Sequence, residues 1–159
     1  TRMRGPRAAV RVLTSTYRIM KTQSTQPRGL RNNNPLNIRK NSTQWQGLRD
    51  VQTDPAFFQF ETMAHGYRAA FKTLDTYRTK HGCRYLADFI SRWAPPSEND
   101  TRAYIRAVAR HAGLSDVSQI DTRNERMMCS LVAAMSKVEN GIEADMDEVR
   151  AGWKMFAQL

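Results

Sequence analysis

Glu139 is the strongest candidate for acid chemistry in this sequence of 159 residues. It follows apolar residues at helical spacing, and Gly141 comes two residues later, where a helix would end. In the last turn of such a helix, the carbonyl groups and partial burial disfavour a charged carboxylate and favour the protonated form that a general acid needs. The alternative is a surface glutamate at a frayed helix end. The apolar residues are Leu131, Val132, Met135 and Val138.

Two other acidic positions compete with Glu139. Glu61 follows the apolar residues 57–60 and precedes His65, so it is either a lone acid in an apolar wall or a residue at a helix start. Glu98 and Asp100 lie two residues apart in a Pro-rich loop, where they order the loop, cap the next helix or contact a substrate. We predict Glu139 as the catalytic acid, with Glu61 as the second choice.

A run of asparagines is the second chemical signal. Asn32, Asn33 and Asn34 precede Pro35, which fits a turn, because asparagine tolerates left-handed backbone and bonds to the local chain. The same amides could instead face a cleft, where their donors and acceptors suit hydroxyl and N-acetyl groups. Trp45 would then offer a flat apolar face on which a sugar ring stacks. Both interpretations stay open from the residues alone.

These residues belong to a longer string that resembles a family of phage and prophage proteins, described as virion structural proteins or as lysozyme-like wall-degrading enzymes. The similarity runs from about residue 28 to residue 141 and does not cover the basic N-terminal part. It implies a substrate cleft lined by Asn33, Asn34, Asn37, Trp45, Trp93, Glu98, Asn99, Asp100 and Tyr104. The string comprises Asn32-Asn33-Asn34-Pro35-x-Asn37-Ile38-Arg39, Trp45-x-Gly47, Phe60, Gly66-Tyr67-Arg68-Ala69, Arg92-Trp93-Ala94-Pro95-Pro96, Glu98-Asn99-Asp100-Thr101 and Tyr104-Ile105.

A weaker resemblance concerns mechanism. In glucosaminidases of the flagellar and autolysin type, a helix ending in a catalytic glutamate precedes an Asn-Asn-x-x-Gly-Ile-Lys loop with a tryptophan. Here the similar loop, residues 33–39 with Trp45, comes first, and the similar helix end, Glu139 with Gly141, comes near the C-terminus. A circular permutation would reconcile the two orders, because the termini of compact domains often lie close together.

The resemblance implies cleavage of peptidoglycan glycan strands by one glutamic acid in a virion-associated phage lysin that acts in the bacterial periplasm or cell wall. A second carboxylate that positions water would give hydrolysis, as in muramidases or glucosaminidases. Without one, a sugar hydroxyl attacks, as in lytic transglycosylases. The second course fits better, because no carboxylate pair is evident beside Glu139, although Asp145 and Glu98 remain candidates. The rival hypotheses are a non-catalytic virion component and a nucleic-acid-binding protein.

Charge is concentrated at the N-terminal side of a chain whose formal net charge is +10. No Asp or Glu precedes Asp50, whereas eleven Lys and Arg residues do. We predict a flexible basic arm over residues 1–27 and a lysozyme-like domain over residues 28–159, with residues 14–31 as a linker. Such an arm is attracted to polyanions, so nucleic acid or other virion proteins are its expected partners beside peptidoglycan. The alternative is a solubilising tail. No transmembrane segment or signal peptide is readable.

Apolar periodicity predicts five amphipathic helices after residue 60. The third is capped by Asp100 or Thr101 and ended by Gly113, and the fourth is capped by Asp121 or Thr122. Residues 32–60 predict loops with a small β-hairpin. The fold class is therefore mainly α (α+β), one lysozyme-like helical domain with a loop-rich or small β segment.

Metal and cofactor chemistry receive no support from the sequence. Cys83 and Cys129 each lie in an apolar stretch, which predicts two buried small side chains rather than a disulfide or a zinc site. The three histidines are scattered, without the spacing of a metal site or a nucleophilic triad. We expect no metal and no cofactor.

Overall fold

The computed structural model describes residues 26–158. Their structure is mainly helical, as predicted, and within this range the β contribution consists of isolated antiparallel bridges rather than a sheet. The bridges pair Arg39 with Phe57, Leu48 with Phe60, and Tyr85 with Gln119. The helices are α1 (Arg28–Arg31), α2 (Met63–His81), α3 (Leu86–Trp93), α4 (Thr101–Ala112), α5 (Glu125–Asn140) and α6 (Met146–Ala157).

Polar caps and left-handed glycines set the helix ends. Asp100 caps α4, as one of the two predicted residues, and Gly113 and Gly141 end α4 and α5 at positive φ, as predicted. The cap predicted for α5 at Asp121 or Thr122 is wrong, because the Asn124 side chain accepts the hydrogen bond from Met127 N.

Thr122 is unavailable as that cap because its hydroxyl is engaged elsewhere. It is buried, and Oγ1 donates to the Asp75 carboxylate on α2 at 2.7 Å. Asp121 instead accepts from the amide of Arg123 at 2.9 Å, which shapes the turn before α5. The start of α5 is thus set by a tertiary contact to α2, which moves the cap two residues along the chain.

The main core is built from buried residues of all five helices from α2 to α6. Phe71 of α2 packs edge-on against Trp153 of α6, with ring centroids 5.1 Å apart, and stacks near Phe156 at 6.0 Å. Gly152 lets α6 approach α2 closely, because a Cβ there would lie 2.6 Å from the Cβ of Tyr67. The cysteines are buried, as predicted, and both are free thiols.

A smaller core holds the segment between α1 and α2, residues 32–62, which we call the loop segment. Ile38, Phe58 and Phe60 are buried against Ala69 of α2. The predicted hairpin is reduced to the two bridges 39–57 and 48–60, so the prediction of a small β segment is correct only in outline. This segment carries Asn37, which donates to Glu139 of α5, and Trp45, which packs against the smaller core.

The prediction of a linker over residues 14–31 is wrong for its last four residues, 28–31. Residues Arg28–Arg31 form one helical turn whose Gly29 is buried beside the end of α5. Arg28 donates two hydrogen bonds to Asp54, at 2.6 and 2.7 Å, which ties this turn to the loop segment. Most of the predicted arm, residues 1–25, lies outside the described residues. Over the described range, none of the helices has the length and apolar character needed to cross a membrane.

Candidate functional site

Six of the predicted site residues line one cavity of about 820 Å³, between the loop segment, α2 and the ends of α3 and α5. Its size suits a small ligand or a few units of a polymer. Asn37 and Trp45 come from the loop segment, Trp93 ends α3, and Glu139 lies in the last turn of α5. Glu98 and Asn99 complete the set of six from the loop between α3 and α4.

Glu139 is half-buried and accepts a hydrogen bond at each oxygen. Asn37 Nδ2 donates to Oε1 at 2.9 Å, and the Tyr104 hydroxyl donates to Oε2 at 2.8 Å. The sequence led us to expect a carboxyl group beside unpaired carbonyls, which would favour the neutral acid. The structure instead surrounds it with donors, in the arrangement of a carboxylate that accepts charge-assisted hydrogen bonds.

Tyr104 contacts Glu139 from the protein interior, on the side away from the cavity. Burial, the charge of Glu139 and the hydrogen bond to it together raise the pKa of Tyr104 well above its usual range. The phenol therefore stays protonated and acts as a donor at any physiological pH. Tyr104 is not among the residues that line the cavity, so its contact is with Glu139 rather than with the space in front of it.

The asparagine run builds the loop that aims Asn37 at Glu139. Asn34 is fully buried: its amide donates to the carbonyls of Ile38 and Phe58, and its Oδ1 accepts from Ile38 N. Asn33 donates to the carbonyls of Phe60 and Glu61. Asn33 and Asn37 both have positive φ, at 50° and 53°, which asparagine tolerates.

The turn interpretation therefore describes Asn33 and Asn34, and the cleft interpretation describes Asn37. Asn33 and Asn34 do not line the cavity, contrary to our prediction. The reason is that buried backbone groups of the loop need partners, and short amide side chains supply them locally.

Buried polar atoms without partners are concentrated at this site. In the described part of the chain there are three such side-chain atoms: Asn37 Oδ1, Trp45 Nε1 and Asn140 Oδ1. Asn37 and Trp45 line the cavity, and Asn140 follows Glu139 in the chain. Unsatisfied buried groups are costly and call for an explanation, of which a functional role is one.

The other acidic candidates lie at different places in the structure. Glu61 is exposed and lies on a different cavity of about 640 Å³, whose lining includes His65 and Trp45. Asp100 is the cap of α4, accepting from Ala103 N at 3.1 Å, and Asp145 caps α6. Among the described residues that line the larger cavity, Glu98 is the one carboxylate besides Glu139.

Sequence reasoning missed Arg68. This α2 residue is only 7% exposed and lines the cavity with Glu139. It makes no salt bridge or side-chain hydrogen bond with the other residues in the range 26–158. The signal was its position in Gly66-Tyr67-Arg68-Ala69, where a charge sits within an apolar helical stretch. The described chain has no group of three or more potential metal-ligating side chains that could hold an ion.

Fold and site together define a mainly helical domain with a hydrogen-bonded glutamate at the wall of a polar, tryptophan-lined cavity. The chain is 40% identical to Protein P5 of Pseudoalteromonas phage PM2 over 131 residues. The aligned region covers 80% of each of the two proteins. The chain therefore belongs to the family of this phage protein. No protein-family model matches it.

Proposed function

We propose that this protein cleaves the glycan strands of peptidoglycan, with Glu139 as the general acid. The observation that carries the proposal is the placement of Glu139, held by Asn37 and Tyr104 at a cavity whose walls include Trp45 and Trp93. Indole faces suit the stacking of sugar rings, and the asparagine amide suits their polar groups. The lysozyme-like fold implied by the sequence resemblance is part of the same proposal.

Cleavage begins from protonated Glu139, which donates its proton to the glycosidic oxygen as the bond to the sugar breaks. The carboxylate that results is the form that the hydrogen bonds from Asn37 and Tyr104 stabilise. These donors therefore act where negative charge develops in the reaction.

Asn37 can also serve the protonated state by turning its amide. A Cβ on Gly29 would meet both Asn37 Oδ1, at 3.0 Å, and Asn140 Oδ1, at 2.6 Å, so these two unpaired oxygens lie close to the same point. Asn140 is fixed by its Nδ2, whose two N–H groups face the carbonyls of Pro35 and Ser136 and the Ser136 hydroxyl. Turning Asn37 would bring its Nδ2 toward Asn140 Oδ1 and present Oδ1 to a protonated Glu139. Both orphan oxygens would then have partners.

The product depends on whether Glu98 positions water. Glu98 lines the same cavity but belongs to the exposed loop between α3 and α4, without a side-chain hydrogen bond to the other described residues. A carboxylate held so loosely is poorly suited to hold a water in line for attack. We therefore favour attack by a sugar hydroxyl, which leaves an anhydro end, as in lytic transglycosylases.

The test is Glu139→Gln. The amide keeps the shape and loses the titratable proton, so the rate of wall cleavage should fall by about 100-fold or more, the weight of a general acid. Turbidity loss of purified wall gives the rate, and mass spectrometry of the released fragments distinguishes anhydro from reducing ends. The free energy of unfolding should change by less than about 1 kcal/mol.

Glu61→Gln and Glu98→Gln are the matched controls, since each removes one carboxylate from a different position. Glu61→Gln should leave the rate unchanged, because Glu61 lies on the other cavity. If Glu139→Gln cleaves wall normally while one of the others does not, the acid is that residue. Full activity of all three variants would refute the single-glutamate mechanism.

We place the protein in the virion, from which it would act on the cell wall at entry. Membership of a phage protein family supports this location. The test compares wall cleavage by phage particles with cleavage by particles that carry Glu139→Gln. If the location is correct, the first should cleave wall and the second should not.

A polyanion-binding protein is the second candidate, favoured by one observation on α4. Arg102, Arg106 and Arg110 are exposed and spaced by four residues, so they form one row, and none of them makes a salt bridge within residues 26–158. Such a row suits phosphates. Steeply salt-dependent DNA binding that the triple alanine variant loses, without wall turnover by the unmodified protein, would favour this candidate over the first.

A further inference from the structure

The cavity that holds Glu139 is rich in cations. Arg39, Arg68, Lys72 and Lys80 line it, against the two carboxylates Glu98 and Glu139. A neutral glycan offers no charge that would use this excess. The cavity therefore calls for a ligand that also carries negative charge.

Arg68 is the buried member of this set. Its residue surface is more than nine-tenths buried, and no salt bridge joins it to Glu139, Glu98 or any other described acid. The guanidinium nitrogens of Arg68 are not among the buried side-chain atoms without partners, so they reach the open space of the cavity, which they line beside Glu139. An anion bound in the cavity would therefore find a guanidinium that no described acid neutralises. Lys72 follows one turn later on α2 and lines the same wall, so two cations are available to one anionic group.

We infer that Arg68, with Lys72, binds a carboxylate of the peptide attached to the glycan strand, so that the enzyme recognises peptide-bearing wall rather than bare glycan. This rests on the proposed function. The planar fork of a guanidinium matches a carboxylate through two parallel hydrogen bonds. A single carboxylate fits better than a chain of closely spaced phosphates, because Glu139 and Glu98 in the same cavity repel several negative charges more strongly than one.

Binding is measured in the Glu139→Gln background, which prevents turnover. The probes are a soluble disaccharide-peptide from wall, the same disaccharide without peptide, and a short single-stranded oligonucleotide, each titrated by calorimetry. Arg68→Gln should weaken binding of the disaccharide-peptide by at least tenfold and leave binding of the bare disaccharide unchanged. Arg68→Lys should recover part of the loss, because it restores the charge without the fork.

Two further variants keep the test sharp. Lys72→Gln, at an exposed position, should weaken binding of the same probe by a few fold without disturbing the buried wall. Lys154→Gln, an exposed cation on α6 outside the cavity, is the control for loss of general charge and should bind all probes normally.

The outcomes separate this inference from the proposed function. Equal affinity for the two disaccharide probes, or tighter binding of the oligonucleotide through Arg68, overturns the inference even if wall is cleaved. If the disaccharide-peptide binds in an Arg68-dependent way but the parent protein, with Glu139 intact, cleaves no wall, the inference is supported and the proposed catalysis is overturned. On intact wall, the inference further requires that Arg68→Gln raise KM more than it lowers kcat, and that removal of the peptides abolish the difference between variant and parent.

Discussion

Glu139 is held by two donors of different kinds, and this difference gives each a separate role. Asn37 has a free oxygen on the same amide, so it can turn and serve either protonation state of Glu139. Tyr104 is buried, and its raised pKa keeps it a donor. In the proposed mechanism, Tyr104 thus favours the carboxylate formed after proton donation, whereas Asn37 accommodates both forms.

Tyr104→Phe tests the role of Tyr104 as a constant hydrogen-bond donor to Glu139. The variant keeps the ring and removes one hydrogen bond to Oε2, so the proposed lytic rate should fall by roughly tenfold, the scale of one hydrogen bond, and by less than for Glu139→Gln, because the acid itself remains. The free energy of unfolding should drop by about 1–2 kcal/mol, since a partly buried carboxylate oxygen loses its partner. Wall turbidity and urea unfolding measure the two effects. A rate equal to that of the parent would show that Tyr104 only fills space.

At the scale of elements, the helices follow from local patterns. Apolar positions at three- and four-residue steps located α2 to α6, and caps such as Asp100 and stops such as Gly113 and Gly141 fixed several ends. The end that failed, the start of α5, depends on a contact between Thr122 and Asp75, 47 residues apart. Local sequence cannot report such a contact.

The loop segment was less predictable for the same reason. Asn34 lies next to Asn33 in the chain, yet its amide reaches Phe58 across 24 residues, and Asn37 reaches Glu139 across 102. The asparagine run therefore signalled an important loop without indicating which amide faces the cavity. Arg68 was missed because the apolar pattern of α2 predicts that its neighbours in the helix are core residues. The structure shows that a cavity adjoins the core at this position.

Asp54 connects the loop segment to α1 and carries a prediction about pH. Its buried carboxylate accepts from Arg28, Asn32 and the amides of Ala56 and Phe57. The hydrogen bonds from Arg28 contribute most to holding the pKa of Asp54 far below its usual range, and burial opposes them. A lowered pKa in the folded state stabilises the fold above the unfolded value of about 3.9. That stability is lost as pH falls below this value.

Asp54→Asn should lower the free energy of unfolding by about 2 kcal/mol at neutral pH, the scale of hydrogen bonds to a charged group. The difference from the parent should stay constant above about pH 5 and shrink on acidification below about pH 4, because the parent alone loses this contribution. Urea unfolding at a series of pH values measures it. Asp50→Asn, at an exposed position in the same segment, should change stability by less than about 0.5 kcal/mol. If the difference in unfolding free energy between the parent and Asp54→Asn does not change with pH, the charge of Asp54 is not the source of the stabilisation.

At the scale of the whole molecule, charge and chemistry are separated along the chain. Six cations and no acids lie in residues 1–25, whereas the described cores are built from residues between Leu36 and Phe156. We expect the predicted arm to add charge without supplying apolar side chains to those cores, because its sequence is basic and polar. The expected consequence is that stability and attraction to polyanions can be changed independently.

Removal of residues 1–25 tests that separation. The thermal midpoint should change by less than about 2 °C, because a shift of several degrees requires about 1 kcal/mol in a domain of this size. Binding to duplex DNA should weaken and depend less steeply on salt, since each phosphate neutralised contributes about 0.9 to the slope of log K against log salt. Cleavage of purified wall at moderate salt should persist, because Glu139 and its donors are retained. A midpoint lowered by more than about 5 °C would mean that the arm belongs to the fold. An unchanged salt slope would instead assign polyanion binding to the domain, with the arginine row of α4 as the surface to vary next.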